Sequence, residues 1–194
     1  MRRLPPRLVG LGLLASALIL VALVVPLLGL PDPTRQDVPN RLSGAMPGSP
    51  LGRDEFGRDV LSRLLWGART SLLVAFAAAT IAGAIGTTLG LVGGWIRGAA
   101  ELVTLRIADV VLCFPPILLA LLIVSVLGPG DKTLIVMLSI LDTPGFMRVA
   151  FGEVLSARNH DYVTAVKALG AGTGRILSRS ILPNIGGPIL VQFS

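Results

Sequence analysis

The sequence predicts an all-α, polytopic membrane protein, and its composition is the first evidence for this. Hydrophobic residues make up 53% of the 194 residues and charged residues only 14%, against about 25% charged in soluble domains. Mean hydropathy is +0.79. Several nearly uncharged stretches reach or approach the ~20 residues that a helix needs to cross a bilayer, which predicts about four complete spans and the start of a fifth.

Four stretches are the predicted spans: Leu8–Leu30, Thr70–Ile96, Val110–Gly130 and Thr133–Phe151. The first is too long for the apolar core of a signal peptide and no small-x-small cleavage site follows it, so we expect an uncleaved span. The fourth is the weakest. Its apolar side chains contribute roughly −3 to −5 kcal/mol to insertion, whereas a central Asp142 alone costs about +3 kcal/mol. We therefore expect this helix to depend on its neighbours.

The net charge of +6 indicates orientation rather than a nucleic-acid partner, because Lys and Arg collect in cytoplasmic loops. The N-terminal arginines place the N-terminus in the cytoplasm, although the arginines of the first loop run against the rule. The predicted organisation is a cytoplasmic N-terminus with the first helix (1–30), an extracytoplasmic loop with an interfacial helix (31–69), a core of helices two to four (70–151), a cytoplasmic loop (152–183) and the start of a fifth helix (184–194).

Two helices have recognisable faces. Over 54–66 the apolar residues recur at three- and four-residue steps, which predicts a helix at the membrane interface or on the protein's own surface. The second span has small residues at strict four-residue intervals, and in lipid such a stripe marks a close helix–helix contact, either within the chain or with a second subunit. The residues are Ala78, Ala82, Gly86, Gly90 and Gly94.

The third and fourth spans contain the candidate pathway residues, Pro115 and Asp142. A proline inside a helix removes a backbone hydrogen bond, so we expect a kink at Pro115, either lining a pathway or only serving packing. Asp142 is a functional candidate as an intramembrane acid, or else an interior Asp satisfied by a neighbour or by water. Arg106 and Asp109 are spaced to pair on one helical face.

A charged, glycine-broken segment, Glu153–Asn184, follows the fourth span. We predict a helix over 158–169, with Tyr162, Ala165, Val166 and Leu169 on one apolar side, ended by Gly170 and Gly172. A second helix over 173–182 should end at Pro183. We call residues 158–182 the knob. Two short helices joined at a glycine would fit a groove on a partner; the alternative is an ordinary amphipathic loop on the membrane surface.

Enzymatic functions are disfavoured. The sequence has no Gly-x4-Gly-Lys-Ser/Thr phosphate loop, so nucleotide chemistry would have to come from another protein. Its one histidine, His160, and one cysteine, Cys113, offer neither a metal site nor the buried Ser–His pair of an intramembrane protease. A scaffold that binds partners without a complete pathway is the remaining rival to a transporter.

Three separated stretches follow the patterns of one family. Ala165, Gly170 and Leu182-Pro183 match the loop pattern Glu-Ala-Ala-x3-Gly-x9-Ile-x-Leu-Pro, with Thr164, Val166 and Ser180 as departures. The other stretches are residues 51–64 with 67–72, and Asp109 with Phe114-Pro115. Together they resemble the permeases of bacterial ABC transporters, most of all the dipeptide, oligopeptide and nickel branch. The resemblance runs from about Leu51 to the end of the sequence.

This resemblance implies the fold of a type I importer permease in the bacterial cytoplasmic (inner) membrane. Such a subunit pairs with a second permease, two cytoplasmic ATPases that bind ATP and Mg, and an extracytoplasmic substrate-binding protein, and it holds no cofactor or metal itself. Its cargo would be di- or oligopeptides, with nickel or another small solute as the alternative. The ATPase-coupling residues would be Arg158, Tyr162, Ala165, Lys167, Ala168, Leu169, Gly170 and Arg175.

Length is the main departure from the family. Permeases of this kind resemble six-span proteins, whereas residues 184–194 are too short to cross a bilayer. A truncated, non-transporting membrane fragment is therefore a further alternative.

Overall fold

A computed structural model describes residues 6–193, except for the side chains of residues 6–11 and 13–15. All regular secondary structure in this range is helical, which confirms the all-α prediction. The helices are α1 Pro6–Val24, α2 Val60–Ile96, α3 Ala99–Cys113, α4 Pro116–Leu127, α5 Asp131–Ala157, α6 Asp161–Ala168, α7 Thr173–Ile176 and α8 Leu182–Phe193, with 3-10 turns at Val25–Leu27 and Val38–Asn40 and a π-helical turn at Leu177–Ile181. The chain divides into two compact units after Leu73.

Two of the described helices, α2 and α5, are long and apolar enough to cross a membrane, and the bent pair α3–α4 would be a third if it forms one span. The predicted first span, Leu8–Leu30, begins among residues whose side chains lie outside the described part. From residue 16 onward it is an apolar helical segment, Ser16–Leu27.

The predicted interfacial helix over 54–66 is wrong in its bounds. Asp54 accepts hydrogen bonds from the backbone N–H groups of Phe56 and Arg58, both 2.9 Å, and holds a turn in place of a helix. Burial raises the pKa of Asp54, but these bonds and the guanidinium groups of Arg58 and Arg63 outweigh it and lower that pKa to about 2. The helix begins only at Val60 and continues without a break into the second span.

Helix α2 packs against α5 through its stripe of small residues. A Cβ built on Gly86 would lie 2.6 Å from the Thr143 carbonyl oxygen, and one on Gly90 would lie 2.5 Å from that of Met147. Gly94 approaches Phe151 and Val154 in the same way. The residue numbers of the α5 partners increase in the same order as those of the glycines, so α2 and α5 are parallel. Helices α3 and α4 connect the end of α2 to the start of α5.

The predicted kink in the third span is a complete break. Phe114 and Pro115 are both extended, with ψ of 132° and 126°, and α3 and α4 meet at 89°. Each of these residues precedes a proline, and the proline ring disfavours the helical conformation of the residue before it. Two such residues in succession therefore end one helix and begin another.

Asp109 pairs with a different arginine from the one the spacing suggests. Its carboxylate accepts a hydrogen bond from Arg148 of α5 at 2.9 Å, while Arg106 is exposed. The pair joins α3 to α5 and gives the otherwise costly Arg148 a counter-charge. It is half exposed, so it leaves polar groups on the surface of the helical bundle.

Pro183 does not end the last helix as predicted. The π-helical turn Leu177–Ile181 immediately precedes it, and α8 continues from Leu182 to Phe193. A π turn shifts the backbone hydrogen bonds by one residue, which makes room for a residue without an N–H group. The Asn184 side chain donates a hydrogen bond of 2.6 Å to the Ser180 carbonyl and so gives that oxygen a partner.

Candidate coupling knob and intramembrane polar site

The knob is fixed to the helical bundle by an apolar cluster. Val163 of α6 and Ile176 of α7 are buried against Val154 and Ala157 of α5, and the π turn and α8 contribute Ile181 and Ile185. Close packing of this kind transmits displacement, because the interior of a protein is nearly incompressible. A force applied to α6 or α7 would therefore reach α5 and α8.

The join between α6 and α7 is a Schellman motif. The Gly170 N–H donates to the Lys167 carbonyl (2.9 Å) and the Ala171 N–H donates to that of Val166 (3.3 Å). Gly170 has φ of +78°, the left-handed conformation that this motif requires. Val166 and Ala171 both pack on the apolar cluster. The sequence-predicted helix end at Gly170 is thus confirmed, whereas the predicted start at Arg158 is wrong, because residues 158–160 form a turn and α6 begins at Asp161.

Replacing Gly170 with alanine should lower the unfolding free energy by about 1–2 kcal/mol, because a Cβ disfavours positive φ. Gly172 is a matched control. It has an ordinary φ of −71° and, like Gly170, nothing within 4 Å of a built Cβ. Thermal unfolding of the purified chain in detergent should separate Gly170→Ala from Gly172→Ala; equal midpoints would contradict the strain argument.

Two predicted coupling residues make contacts within the knob's own unit. The Lys167 ammonium lies 4.5 Å from the centre of the Trp95 ring at the end of α2, a cation–π contact. The Arg158 guanidinium donates to the Gly94 carbonyl at 3.5 Å. Both cations lie at the C-terminal end of α2, where the helix dipole favours positive charge. Sequence reasoning did not identify Trp95, although an aromatic residue at the end of a span is a usable signal.

The outer surface of the knob is exposed and partly apolar. The predicted apolar side of α6 is divided, because Val163 and Val166 face inward whereas Tyr162, Ala165 and Leu169 face outward. Leu169 is 87% exposed at the end of α6. Its sequence neighbours Ala168 and Gly170 are also exposed, as is Arg175 of α7. The knob therefore presents a small apolar tip on a rigid base.

A second candidate site lies at the break between α3 and α4. Asp142 of α5 is exposed and lines a cavity of about 310 Å³ whose other walls come from both sides of the break. The apolar lining residues are Val111, Leu112, Phe114, Pro116 and Leu141. Pro115 is next to this cavity in sequence and is itself exposed. One carboxylate in an apolar cavity would favour a ligand with a cationic group.

These features define a class of protein: a polytopic helical membrane protein with a knob packed against its helical bundle. The comparison with known families is consistent with this class. Residues 86–194, more than half of the chain, match the family described as the binding-protein-dependent transport system inner membrane component. The chain belongs to this family, which confirms the predicted resemblance.

Curated relatives give the same result over a longer range. The chain is 41% identical to the dipeptide transport system permease protein DppC of Alkalihalophilus pseudofirmus over 95% of its own length and 60% of the relative's. It is 38% identical to the di/tripeptide transport system permease protein DppC of Pseudomonas aeruginosa, covering 93% and 62%. The oligopeptide transport system permease protein OppC of Bacillus subtilis is 34% identical, covering 97% and 62%. The chain thus spans about three-fifths of the length of these relatives.

Proposed function

We propose that this chain is the permease subunit of an ATP-driven importer of di- or oligopeptides. The observation that supports this most is the exposed Leu169 tip on a knob packed rigidly against α5 and α8. The peptide cargo is taken from the names of the relatives, which are dipeptide, di/tripeptide and oligopeptide permeases. Enzymatic chemistry has no part in the proposal.

In this proposal two cytoplasmic ATPases bind ATP and Mg and hold the tips of two permease subunits. Their closure moves the knob, and the apolar cluster around Val154 and Ile185 carries the displacement into α5 and α8. An extracytoplasmic binding protein delivers the peptide to the other side. Residues Tyr162, Ala165, Ala168, Leu169 and Gly170 would touch the ATPase, with Arg175 at the rim. Lys167 and Arg158 would brace the knob against α2.

The parallel arrangement of α2 and α5 supports the proposed orientation. Their C-terminal ends lie together at the knob, where Arg97, Arg158, Lys167 and other basic residues collect. By the positive-inside rule this end is cytoplasmic. With α1 as one further span, the N-terminus is cytoplasmic as well, in the inner membrane of a bacterium.

Reconstitution tests the function as a whole. Proteoliposomes that contain this chain, a second permease, two ATPases and a binding protein should take up a labelled dipeptide only when ATP is present. Liposomes assembled without this chain are the control. Uptake no greater than in that control would refute the proposed function.

Asp142 supplies a test of the pathway. Asp142→Asn should reduce dipeptide uptake by about 10- to 100-fold, the range expected from losing a charged hydrogen bond to a cationic group. Asp131→Asn is the matched control, because Asp131 lies at the exposed start of the same helix, away from the cavity. Uptake is measured in the same proteoliposomes, with ATP hydrolysis as a second readout. If Asp142→Asn and Asp131→Asn transport equally, Asp142 is not a pathway residue.

A further inference from the structure

The segment between α1 and α2 encloses a polar pocket. It has a volume of about 420 Å³, within the ~300–1,000 Å³ range of small-molecule sites. Both acidic and basic side chains line it. They include Asp32, Arg35, Asp37, Arg53 and Asp59.

Asp59 has one oxygen that its own fold does not use. The Asp59 side chain caps α2, because its Oδ2 accepts a hydrogen bond from the Ser62 N–H at 2.7 Å. The residue is only 6% exposed, and its Oδ1 is buried without a hydrogen-bond partner among the described residues. Leaving a buried carboxylate oxygen unpaired costs free energy, so this oxygen is available to a group from outside the chain, either a water molecule or a ligand.

Arg53 has an unused donor in the same pocket. It opposes Asp59 across an isolated antiparallel bridge, yet its guanidinium group turns to Asp37 and to the Gly57 carbonyl. The Nε–H group remains buried without a partner in the described part of the chain. The pocket thus offers one free acceptor with negative charge and one free donor with positive charge. A ligand with an ammonium and an anionic oxygen would satisfy both through charge-assisted hydrogen bonds, which are stronger than neutral ones.

Two further carboxylates that line the pocket are negatively charged. Hydrogen bonds from the Thr34 hydroxyl and N–H lower the pKa of Asp32. A hydrogen bond from the Asn40 side chain lowers the pKa of Asp37, with the charge of Arg53 adding to it. Both groups are therefore ionised at neutral pH and would attract an ammonium, while exposed Arg35 would face a carboxylate.

We propose that this pocket binds a short peptide by its two charged ends, with the α-ammonium at Asp59 and the carboxylate at Arg53. The choice of a peptide over another zwitterion rests on the proposed function. The pocket is a second peptide site of this chain, separate in sequence from the Asp142 cavity. The pocket lies in the predicted extracytoplasmic loop, on the side from which the binding protein would deliver the peptide.

The test uses the full chain in nanodiscs of phosphatidylglycerol, a lipid without an ammonium group, and L-alanyl-L-alanine as the probe. Asp59→Asn should weaken binding by about 10- to 100-fold in microscale thermophoresis. Asparagine caps helices as well as aspartate does, so the thermal midpoint should not change. Glu55→Gln is the matched control, because it removes the same charge from an exposed position of the same segment outside the pocket; it should bind as the unaltered chain does.

Probes that lack one end of the peptide test the two contacts separately. N-acetyl-dialanine and dialanine amide should both bind at least about tenfold more weakly than dialanine. The proposal is overturned if dialanine does not bind, if both blocked probes bind as well as it does, or if Asp59→Asn binds like Glu55→Gln. Nanodiscs with phosphatidylethanolamine test whether a zwitterionic lipid headgroup occupies the pocket instead. Loss of dialanine binding in them would assign the pocket to a lipid headgroup and overturn the peptide assignment.

A negative result in the binding test does not refute the proposed function, because ATP-dependent uptake in proteoliposomes is measured independently of this pocket. Uptake with no dialanine binding would reject only the pocket. Absence of uptake together with Asp59-dependent binding would reject the permease function and leave the zwitterion site standing.

Discussion

Replacing Gly90 with leucine should separate α2 from α5 and destabilise the bundle more than Gly170→Ala does. A Cβ at this position would lie 2.5 Å from the Met147 carbonyl oxygen, 2.8 Å from the Ala150 Cβ and 2.9 Å from the Phe151 nitrogen. Two of these atoms belong to the backbone, so a rotamer change cannot relieve the clash. Overpacking of this kind costs about 1–3 kcal/mol even for one added methyl group, and Gly90→Leu adds four carbons.

The measurement is the thermal midpoint of the purified chain in detergent micelles, followed by circular dichroism. Gly90→Ala should lower it and Gly90→Leu should lower it further or prevent folding. Gly152→Ala is the matched control, because Gly152 lies on the facing helix α5 with nothing within 4 Å of a built Cβ. Its better helix propensity should keep or raise the midpoint. If Gly90→Leu and Gly152→Ala have the same thermal midpoint, the tight α2–α5 contact is disproved.

Local patterns in the sequence predict the features that depend on neighbours along the chain. The four-residue spacing of Ala78 through Gly94 indicates a packing face, and Gly170 indicates a helix end, because both follow from the conformation of one segment. Neither pattern identifies the part of the chain against which the segment packs. The pairing of the stripe with α5, and the parallel direction of the two helices, depend on how α3 and α4 return the chain.

Each wrong prediction rested on a local sequence pattern that another interaction in the folded chain overrides. The spacing of apolar residues predicts that a helix begins at Asp54. Its carboxylate instead accepts hydrogen bonds from two backbone N–H groups, which stabilises a turn. Asp109 has a nearby Arg106, yet Arg148 from α5 takes the ion pair. A proline such as Pro183 usually ends a helix, but here the π turn before it lets the helix continue. The unpaired Asp59 oxygen is likewise invisible in the sequence, because only the folded segment shows which oxygen is used.

Replacing Leu169 with glutamine should remove the coupling of this chain to its ATPase partners while leaving its fold intact. Leu169 is 87% exposed, so the unfolding free energy should change by no more than about 0.5 kcal/mol. In the proposed complex the same side chain enters a groove and is desolvated. Burial of a leucine contributes about 1.5–3 kcal/mol, and a residue at the centre of an interface commonly costs about 2 kcal/mol or more when lost. That corresponds to a roughly 30-fold weaker complex.

Leu169 is a sharper probe than Gly170, because any side chain at Gly170 also strains the end of α6. Leu169→Met is the matched control, since methionine retains an apolar side chain of similar size and should keep most of the affinity. Ser178→Gln places the same polar group on another exposed position of the knob and should not alter binding. Affinity-purified complexes, quantified for ATPase content and ATP-driven uptake, give the readout. Co-purification of the ATPases with Leu169→Gln at the level of Leu169→Met would show that the tip is not the contact, and the motor would have to reach α5 by another surface.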